Sequence, residues 1–221
     1  MRHVQALRLQ TGESVRLFNG DGSEYESILI DISRRGVSVL IRACEAVERE
    51  SPLAITLIQG VCANDRMDLV IQKATELGVN AIRPIVTSRS IVRLSSERQA
   101  KRAEHWQNVA IAACEQCGRN RIPEVRPAAM LHAFLAMEDP GEAAATRLYL
   151  SPNAESGLER LPRPTAIQLL IGPEGGLSNE EIRDVRSRGF APVRFGPRIL
   201  RTETAPLAAI AAMQARWGDC G

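Results

Sequence analysis

The sequence predicts an α/β protein: a mostly parallel sheet covered by helices, preceded by a small all-β unit. Three observations carry this. From Leu53 onward, apolar runs alternate with amphipathic stretches, the order of parallel strands joined by crossover helices. Two of the runs, Leu53 to Val61 and Ile167 to Ile171, are apolar almost throughout, as strands covered on both faces are. Residues 4–41 instead hold short runs with partial period-two alternation between turn signals.

In the all-β unit the runs are Ser14 to Phe18, Ser27 to Ile32 and Val37 to Ile41. Gly12-Glu13, Asn19-Gly20-Asp21-Gly22 and Arg34-Arg35-Gly36 are the turns between them. A barrel or sandwich this small is marginal alone, so it is expected to lean on the rest of the chain. Glu45 to Pro52 reads as a linker, which puts the units at residues 1–51 and 53–221. After the first buried strand, Asp65 is a candidate helix cap with Asp68 as its capping-box partner. Met67, Val70, Ile71, Ala74 and Leu77 give that helix one apolar face, and Gly78 stops it. Ala81 to Val86 is the next strand, and Arg98 to Cys117 a long helix closed by Gly118. A loose, Ala-rich segment leads to a short strand, Arg147 to Leu150. After Ile167 to Ile171, Ser178 and Glu181 form a capping box for a helix that Gly189 ends. Val193 to Phe195 is the last strand. Pro206 to Trp217 is the last helix, capped by Thr204 and apolar almost all round.

Composition removes several classes. The 221 residues suit one large domain or two modest ones, and 44% hydrophobic against 24% charged residues is globular rather than disordered. No apolar run approaches the ~20 residues that span a bilayer. Met1-Arg2-His3-Val4-Gln5 opens no signal segment, so a soluble, cytoplasmic protein is expected. Five scattered cysteines argue against a disulfide framework. There is no P-loop, and Gly20-Asp21-Gly22 lacks the third glycine of a dinucleotide fingerprint. Cys114-x-x-Cys117 has no second pair, and His3, His105 and His132 stand at no ligand spacing. No metal is expected.

The net charge of +2 announces no polyanion, but its distribution is uneven. Residues 83–126 hold nine basic residues against four acidic ones, and Arg183 to Arg201 hold a second cluster. On charge alone, solvated helix faces explain such clusters better than phosphate contacts do. At 4% aromatic residues, stacking on single-stranded bases is poorly supplied. Charge and shape would therefore hold most of any RNA.

Two loops stand out. Ile171-Gly172-Pro173-Glu174-Gly175-Gly176-Leu177-Ser178 lies between a buried strand and a capped helix. Ligands bind such sheets at the carboxyl ends of strands, and glycine lets backbone approach a ligand. A plain turn needs one glycine, so the surplus favours ligand contact. Phe195-Gly196-Pro197-Arg198-Ile199-Leu200-Arg201-Thr202-Glu203-Thr204-Ala205-Pro206 also follows a strand. At the end of the long helix, Glu115 and Arg119 have the spacing of a surface ion pair.

Together with Glu76-Leu77-Gly78-Val79 and Glu115-Gln116-Cys117-Gly118-Arg119, these loops follow the order and spacing of the ribosomal RNA small-subunit methyltransferase E family. The chain resembles that family along essentially its whole length. The resemblance implies a SPOUT-type parallel sheet with a C-terminal trefoil knot, an N-terminal PUA-like β-barrel and a homodimer. It implies S-adenosylmethionine as methyl donor and N(3) of a uridine in the decoding region of 16S rRNA, in the small ribosomal subunit, as acceptor. Family members have a further strand before the stretch matched by His3 to Leu9. By resemblance the donor pocket comprises Leu150, Gly172, Pro173, Glu174, Gly175, Gly176, Gly196, Ile199, Leu200, Thr204 and Ala205. Arg119 and Arg201 are candidates for stabilising the uracil anion or a flanking phosphate, and Glu203 or Glu174 for taking the proton. Arg8, Arg89, Arg93, Arg119 and Arg121 are the candidate RNA contacts. The alternatives are a catalytically silent RNA-binding protein of the same fold, or a SPOUT methyltransferase for another RNA position.

Overall fold

The computed structural model describes residues 2–90, 96–137 and 144–221. They divide into two compact units. One is Met1–Glu50 with Gly118–Ile122; the other is Ser51–Cys117 with Pro123–Gly221.

The first unit is an antiparallel sheet in the order β1-β2-β3: β1 (Ser14–Phe18), β2 (Ser23–Ser33) and β3 (Gly36–Ala46). The expected strands are present, and β2 and β3 run longer than their alternation showed. Residues expected to open as β instead form a short helix, α1 (Arg2–Ala6). Leu29 is the unit's buried hydrophobic residue among the described ones, so polar contacts carry much of the rest. Asp21 accepts from the Ser23 amide at 2.8 Å and from Asn19, and these bonds hold its carboxyl below the usual range. Buried Glu24 takes Arg49 at 2.8 Å and Arg16 at 3.1 Å. Asn120, from the excursion at 118–122, donates to the carbonyls of Val47 at 2.7 Å and Gly22 at 3.2 Å.

The second unit is a seven-stranded parallel sheet. Its strands are β4 (Ala54–Gly60), β5 (Ala81–Val86), β6 (Glu124–Val125), β7 (Ala129–Met130), β8 (Thr146–Leu150), β9 (Ala166–Ile171) and β10 (Ala191–Val193). The order is β10-β8-β9-β4-β5-β6, with β7 also on β5. The helices are α2 (Asn64–Glu76), α3 (Ser96–Cys117), α4 (Leu131–Ala136), α5 (Asn179–Ser187) and α6 (Thr204–Trp217). On one face Ile55, Leu57, Leu148, Ile167 and Leu169 pack with Met67 and Ile71 of α2 and Ile210 and Met213 of α6. Trp106 and Ala110 of α3 close that layer. On the other face Ile58, Ile85, Tyr149 and Leu170 pack with Leu131 and Leu135 of α4 and Val185 of α5. Each fully buried aliphatic side chain contributes ~1.5–3 kcal/mol, so this double-sided burial dominates the unit's stability.

Several local expectations change. Asp65 lies inside α2, whose N-cap is Ala63 without a side-chain bond, and Asp68 pairs with His105 at 2.8 Å. The capping box at Ser178 and Glu181 is present, at 3.2 and 2.8 Å. Glu203 rather than Thr204 occupies the N-cap of α6. Along that helix Leu207, Ala208, Ala211 and Ala212 are half-buried, and Thr204 and Ala215 exposed. The loose segment before β8 contains β6, β7 and α4, elements too short for periodicity to reveal.

Candidate functional site

Parallel pairing sets β10, β8 and β9 side by side with their carboxyl ends together. The chain leaving each end becomes one wall of a cleft of about 680 Å³, within the range of cofactor sites. After β8 the wall is Leu150 to Asn153; after β9 it is Gly172, Pro173, Glu174, Gly176 and Leu177; after β10 it is Phe195, Gly196, Arg198 to Glu203 and Ala205.

Buried polar groups tie these walls together. The Thr202 hydroxyl donates to the Gly172 carbonyl at 2.9 Å and accepts from Gln59 Nε2 of β4 at 3.3 Å. Gln59 is fully buried, so each bond is made away from water, where leaving it unmade is costly. Gly60 ends β4 against the glycine loop: a Cβ there would stand 2.4 Å from the Pro173 nitrogen. The loop itself turns on Gly176, with φ of +66° and its amide 2.8 Å from the Pro173 carbonyl. A Cβ at Gly176, or at Gly196 with φ of +70°, would meet no atom within 4 Å. Backbone there lies beside open space, the arrangement that admits a ligand against the main chain.

Charge is placed unequally. Glu174 is engaged: its Oε1 accepts from the Ala63 amide at 3.3 Å and from Arg66 Nη1 at 3.2 Å. Glu203 has its Oε1 3.8 Å from Arg66 Nε, while its Oε2 is buried with no hydrogen-bond partner. Buried orphan oxygens are rare and costly, so Glu203 has an accepting position to fill. Cys62, behind these carboxylates, has its thiol pushed up to about 12, first by burial and then by Glu174 and Glu203. It is a packed neutral thiol, not a nucleophile. Arg89, Arg198 and Arg201 stand exposed at the cleft.

Of the expected donor residues, the structure brings Leu150, Gly172, Pro173, Glu174, Gly176, Gly196, Ile199, Leu200 and Ala205 into the cleft wall. Gly175 and Thr204 are not part of it. Gly175 lies against Arg89, which donates to its carbonyl at 3.1 Å, and its backbone is not left-handed. Arg201 and Glu203 of the expected catalytic set are there.

Arg119 is not part of that wall. Gly118, at φ of +80°, turns the chain out of α3, so Arg119 lies beyond the helix. Its guanidinium is buried against Glu50, with Nε 3.0 Å from Oε1 and Nη2 on Oε2. Arg8 and Arg121 lie exposed in the first unit, Arg121 3.9 Å from Glu48. Arg89 lines the cleft, and Arg93 lies outside the described residues. Sequence reasoning missed Gln59, Arg66 and Thr202 as site-builders. Gln59 and Arg66 sit in ordinary strand and helix patterns, and their partners are over 100 residues away.

Among the described residues no group of three or more His, Cys, Asp or Glu could hold a metal. None of the helices there is long and apolar enough to cross a membrane.

The chain is similar to known proteins along most of its length. Residues 49–214 match the RNA methyltransferase domain family, and residues 2–42 the RNA methyltransferase PUA domain. The ribosomal RNA small subunit methyltransferase E of Buchnera aphidicola subsp. Schizaphis graminum is 36% identical, over 97% of this chain and 87% of the relative. That of Bacillus subtilis is 32% identical, over 95% and 84%. The Neisseria gonorrhoeae ribosomal RNA small subunit methyltransferase E, solved bound to S-adenosyl methionine, superposes with a TM-score of 0.91 at 42% identity, covering 100% of this chain and 90% of that one. A Legionella pneumophila methyltransferase solved with bound SAM gives 0.92 at 41% identity, covering 98% and 88%.

Proposed function

Because the chain belongs to the ribosomal RNA small subunit methyltransferase E family, we propose that it methylates N(3) of a uridine in the decoding region of 16S rRNA, with S-adenosylmethionine as donor. The observation that carries this is the cleft where three strand ends meet, with two left-handed glycines beside open space and an unpartnered carboxylate oxygen in its wall. When bound, the donor supplies an electrophilic methyl group on a sulfonium.

The protein's own residues do the rest. Leu150, Leu200 and Ala205 give the wall an apolar lining that excludes water. The backbone of Gly172 to Gly176 and of Gly196 fixes the ligand's place without side-chain bulk. Glu174 is spent on Ala63 and Arg66, where it holds the glycine loop on α2. That leaves Glu203 as the group to receive the N(3) proton at Oε2, and Arg201 to offset the charge that spreads over the uracil oxygens. The uridine has to leave its stack to reach this cleft, and exposed Arg89 and Arg198 are placed for the flanking phosphates.

The threading implied by the resemblance belongs to the same proposal. The close approach of Gly60 to Pro173 and the Gln59–Thr202–Gly172 chain support it, since together they hold residues 172–205 tightly on β4. A homodimer through α6 does too, supported by the half-buried stretch Leu207, Ala208, Ala211 and Ala212. Its place of work is the cytoplasm, with the small ribosomal subunit.

The test is methyl transfer from labelled S-adenosylmethionine to small subunits from a strain lacking the enzyme, with the modified nucleoside identified by mass spectrometry. N(3)-methyluridine in 16S rRNA is expected. Glu203→Gln should lower turnover about 10²–10⁴-fold with donor affinity largely kept. Methylation of another atom, or full activity in Glu203→Gln, would overturn the assignment.

A further inference from the structure

The α4/α5 face of the sheet is apolar only toward the carboxyl ends of its strands, at Ile58, Ile85, Tyr149 and Leu170. Two residues earlier on the same strands, and so on the same face, stand Thr56, Arg83, Arg147 and Gln168. Arg147 pairs in register with Gln168, and Gln168 with Thr56. Thr56, Arg83 and Gln168 are all buried. A polar row through the middle of a parallel sheet departs from the apolar rule for such strands and costs desolvation.

Arg83, Arg147 and Gln168 line a cleft of about 500 Å³ that shares no residue with the donor cleft. Arg126 and Arg188 complete a set of four guanidiniums, and among the described residues no acidic one lines it. Glu124 serves two of them at once, Arg83 at 3.1 Å and Arg126 at 3.0 Å. Arg147 donates to the Arg188 carbonyl at 2.9 Å and lies 6.0 Å from the Phe190 ring centroid. The remaining wall is flat and apolar, with Phe134, Phe190, Pro84 and Pro127. Guanidiniums beside aromatic rings match an anion that carries a planar group.

We propose that this cleft is a second binding site that takes one nucleotide, its phosphate on the guanidiniums and its base against the Phe and Pro wall. The nucleotide is either free or one residue of an RNA chain. The RNA arm rests on the activity proposed above; the mononucleotide arm does not.

Two probes separate the sources, both used with the donor cleft saturated by S-adenosylmethionine: uridine 5′-monophosphate and a short labelled RNA hairpin. The variants are Arg188→Gln, at an exposed residue, and the double variant Arg147→Gln/Arg188→Gln, with melting temperature and donor affinity measured alongside. The expected result is binding about tenfold weaker in the double variant, with donor affinity unchanged. For the hairpin, the slope of log K against log salt should fall by about 1–2, a readout that loosened packing alone does not move. Mononucleotide binding lost in the variants identifies a free nucleotide; loss for the hairpin alone identifies RNA. If neither probe loses affinity in the double variant, the proposal is wrong. If the double variant also loses the donor, Arg188→Gln decides: wild-type affinity and salt slope for both probes in that single variant reject the site.

Discussion

Gly60→Ala is a one-carbon change outside the donor cleft that should damage it. The added Cβ would lie 2.4 Å from the Pro173 nitrogen and 2.7 Å from the Gly172 carbonyl carbon and Pro173 Cδ, where ordinary contact begins at 3.4 Å. Two of these are backbone atoms and the third belongs to a proline ring, so no flexible side chain can swing away. Gly60 itself is not in the left-handed region, so the whole effect comes from crowding. Relief requires the loop to move by about 1 Å, and overpacking of this kind costs ~1–3 kcal/mol. In a protein of this size that lowers Tm by about 3–9 °C. If the free protein relaxes by displacing Gly172 and Pro173, donor binding must restore the strain, which weakens affinity by about fivefold to 150-fold. Misplacement of the reacting atoms would cut turnover further, by about 10²-fold. Isothermal titration with S-adenosylmethionine and a thermal melt measure both. Gly36→Ala, where a Cβ meets nothing within 4 Å, is the neutral control. Wild-type Tm and Kd in Gly60→Ala would refute the claim that this contact sets the loop.

Arg119→Ala should destabilise the protein by about 3–5 kcal/mol, because it strands the largely buried Glu50 carboxylate; in a melt Tm falls, while donor affinity by titration stays at the wild-type value. Acid should erode stability. Arg49 holds the Glu24 carboxyl low; at Glu181 burial raises it, but the Ser178 and Ser88 amides outweigh that and hold it low. Carboxylates depressed in the folded state contribute stability that is present above the ordinary value of 4.5 and lost as pH falls through the folded value. Glu181→Gln should therefore flatten part of the acid limb in melts run from about pH 6 to pH 3, and an unchanged limb would count against the capping network. Cys62 should resist iodoacetamide at about pH 8 while exposed Cys44 and Cys117 react; mass spectrometry of the labelled protein reads this directly.

The parallel sheet was legible because its strands are long or apolar enough to stand out. β4 and β9 lie within a residue of the ranges read from hydrophobic runs, and α5 was announced by a capping box that the folded chain contains. β6, β7 and α4 were not legible, since strands of two residues and a helix of six carry no period. The glycine loops were visible from composition, but which glycine does what was not. Surplus glycine says that backbone must come close to something; only the fold shows that Gly176 bends the loop and that Gly60 yields to it. Arg119 shows the same limit: α3 ends before it, and its partner Glu50 belongs to another part of the chain. The two carboxylates looked equivalent in sequence; that Glu174 is bonded by Arg66 while an oxygen of Glu203 is left without a partner is visible only in the fold, and no local pattern marks Arg66.

The excursion at 118–122 bears on how the polypeptide emerges from the ribosome. Domains generally fold in order as they are made, at ~5–20 residues per second. Here the N-terminal unit cannot finish in that order. Its strands are complete by Ala46, yet the amide of Asn120 that satisfies Val47 and Gly22, and the guanidinium that meets Glu50, arrive only after α3 has been translated. Until then those carbonyls and that carboxylate must stay hydrated. The nascent sheet therefore waits for about seventy further residues, roughly 4–14 seconds at those rates, with little apolar core to hold it. A chain released at residue 51 would never receive the missing groups, so the first unit should gain protease resistance only in nascent chains long enough to expose residue 122.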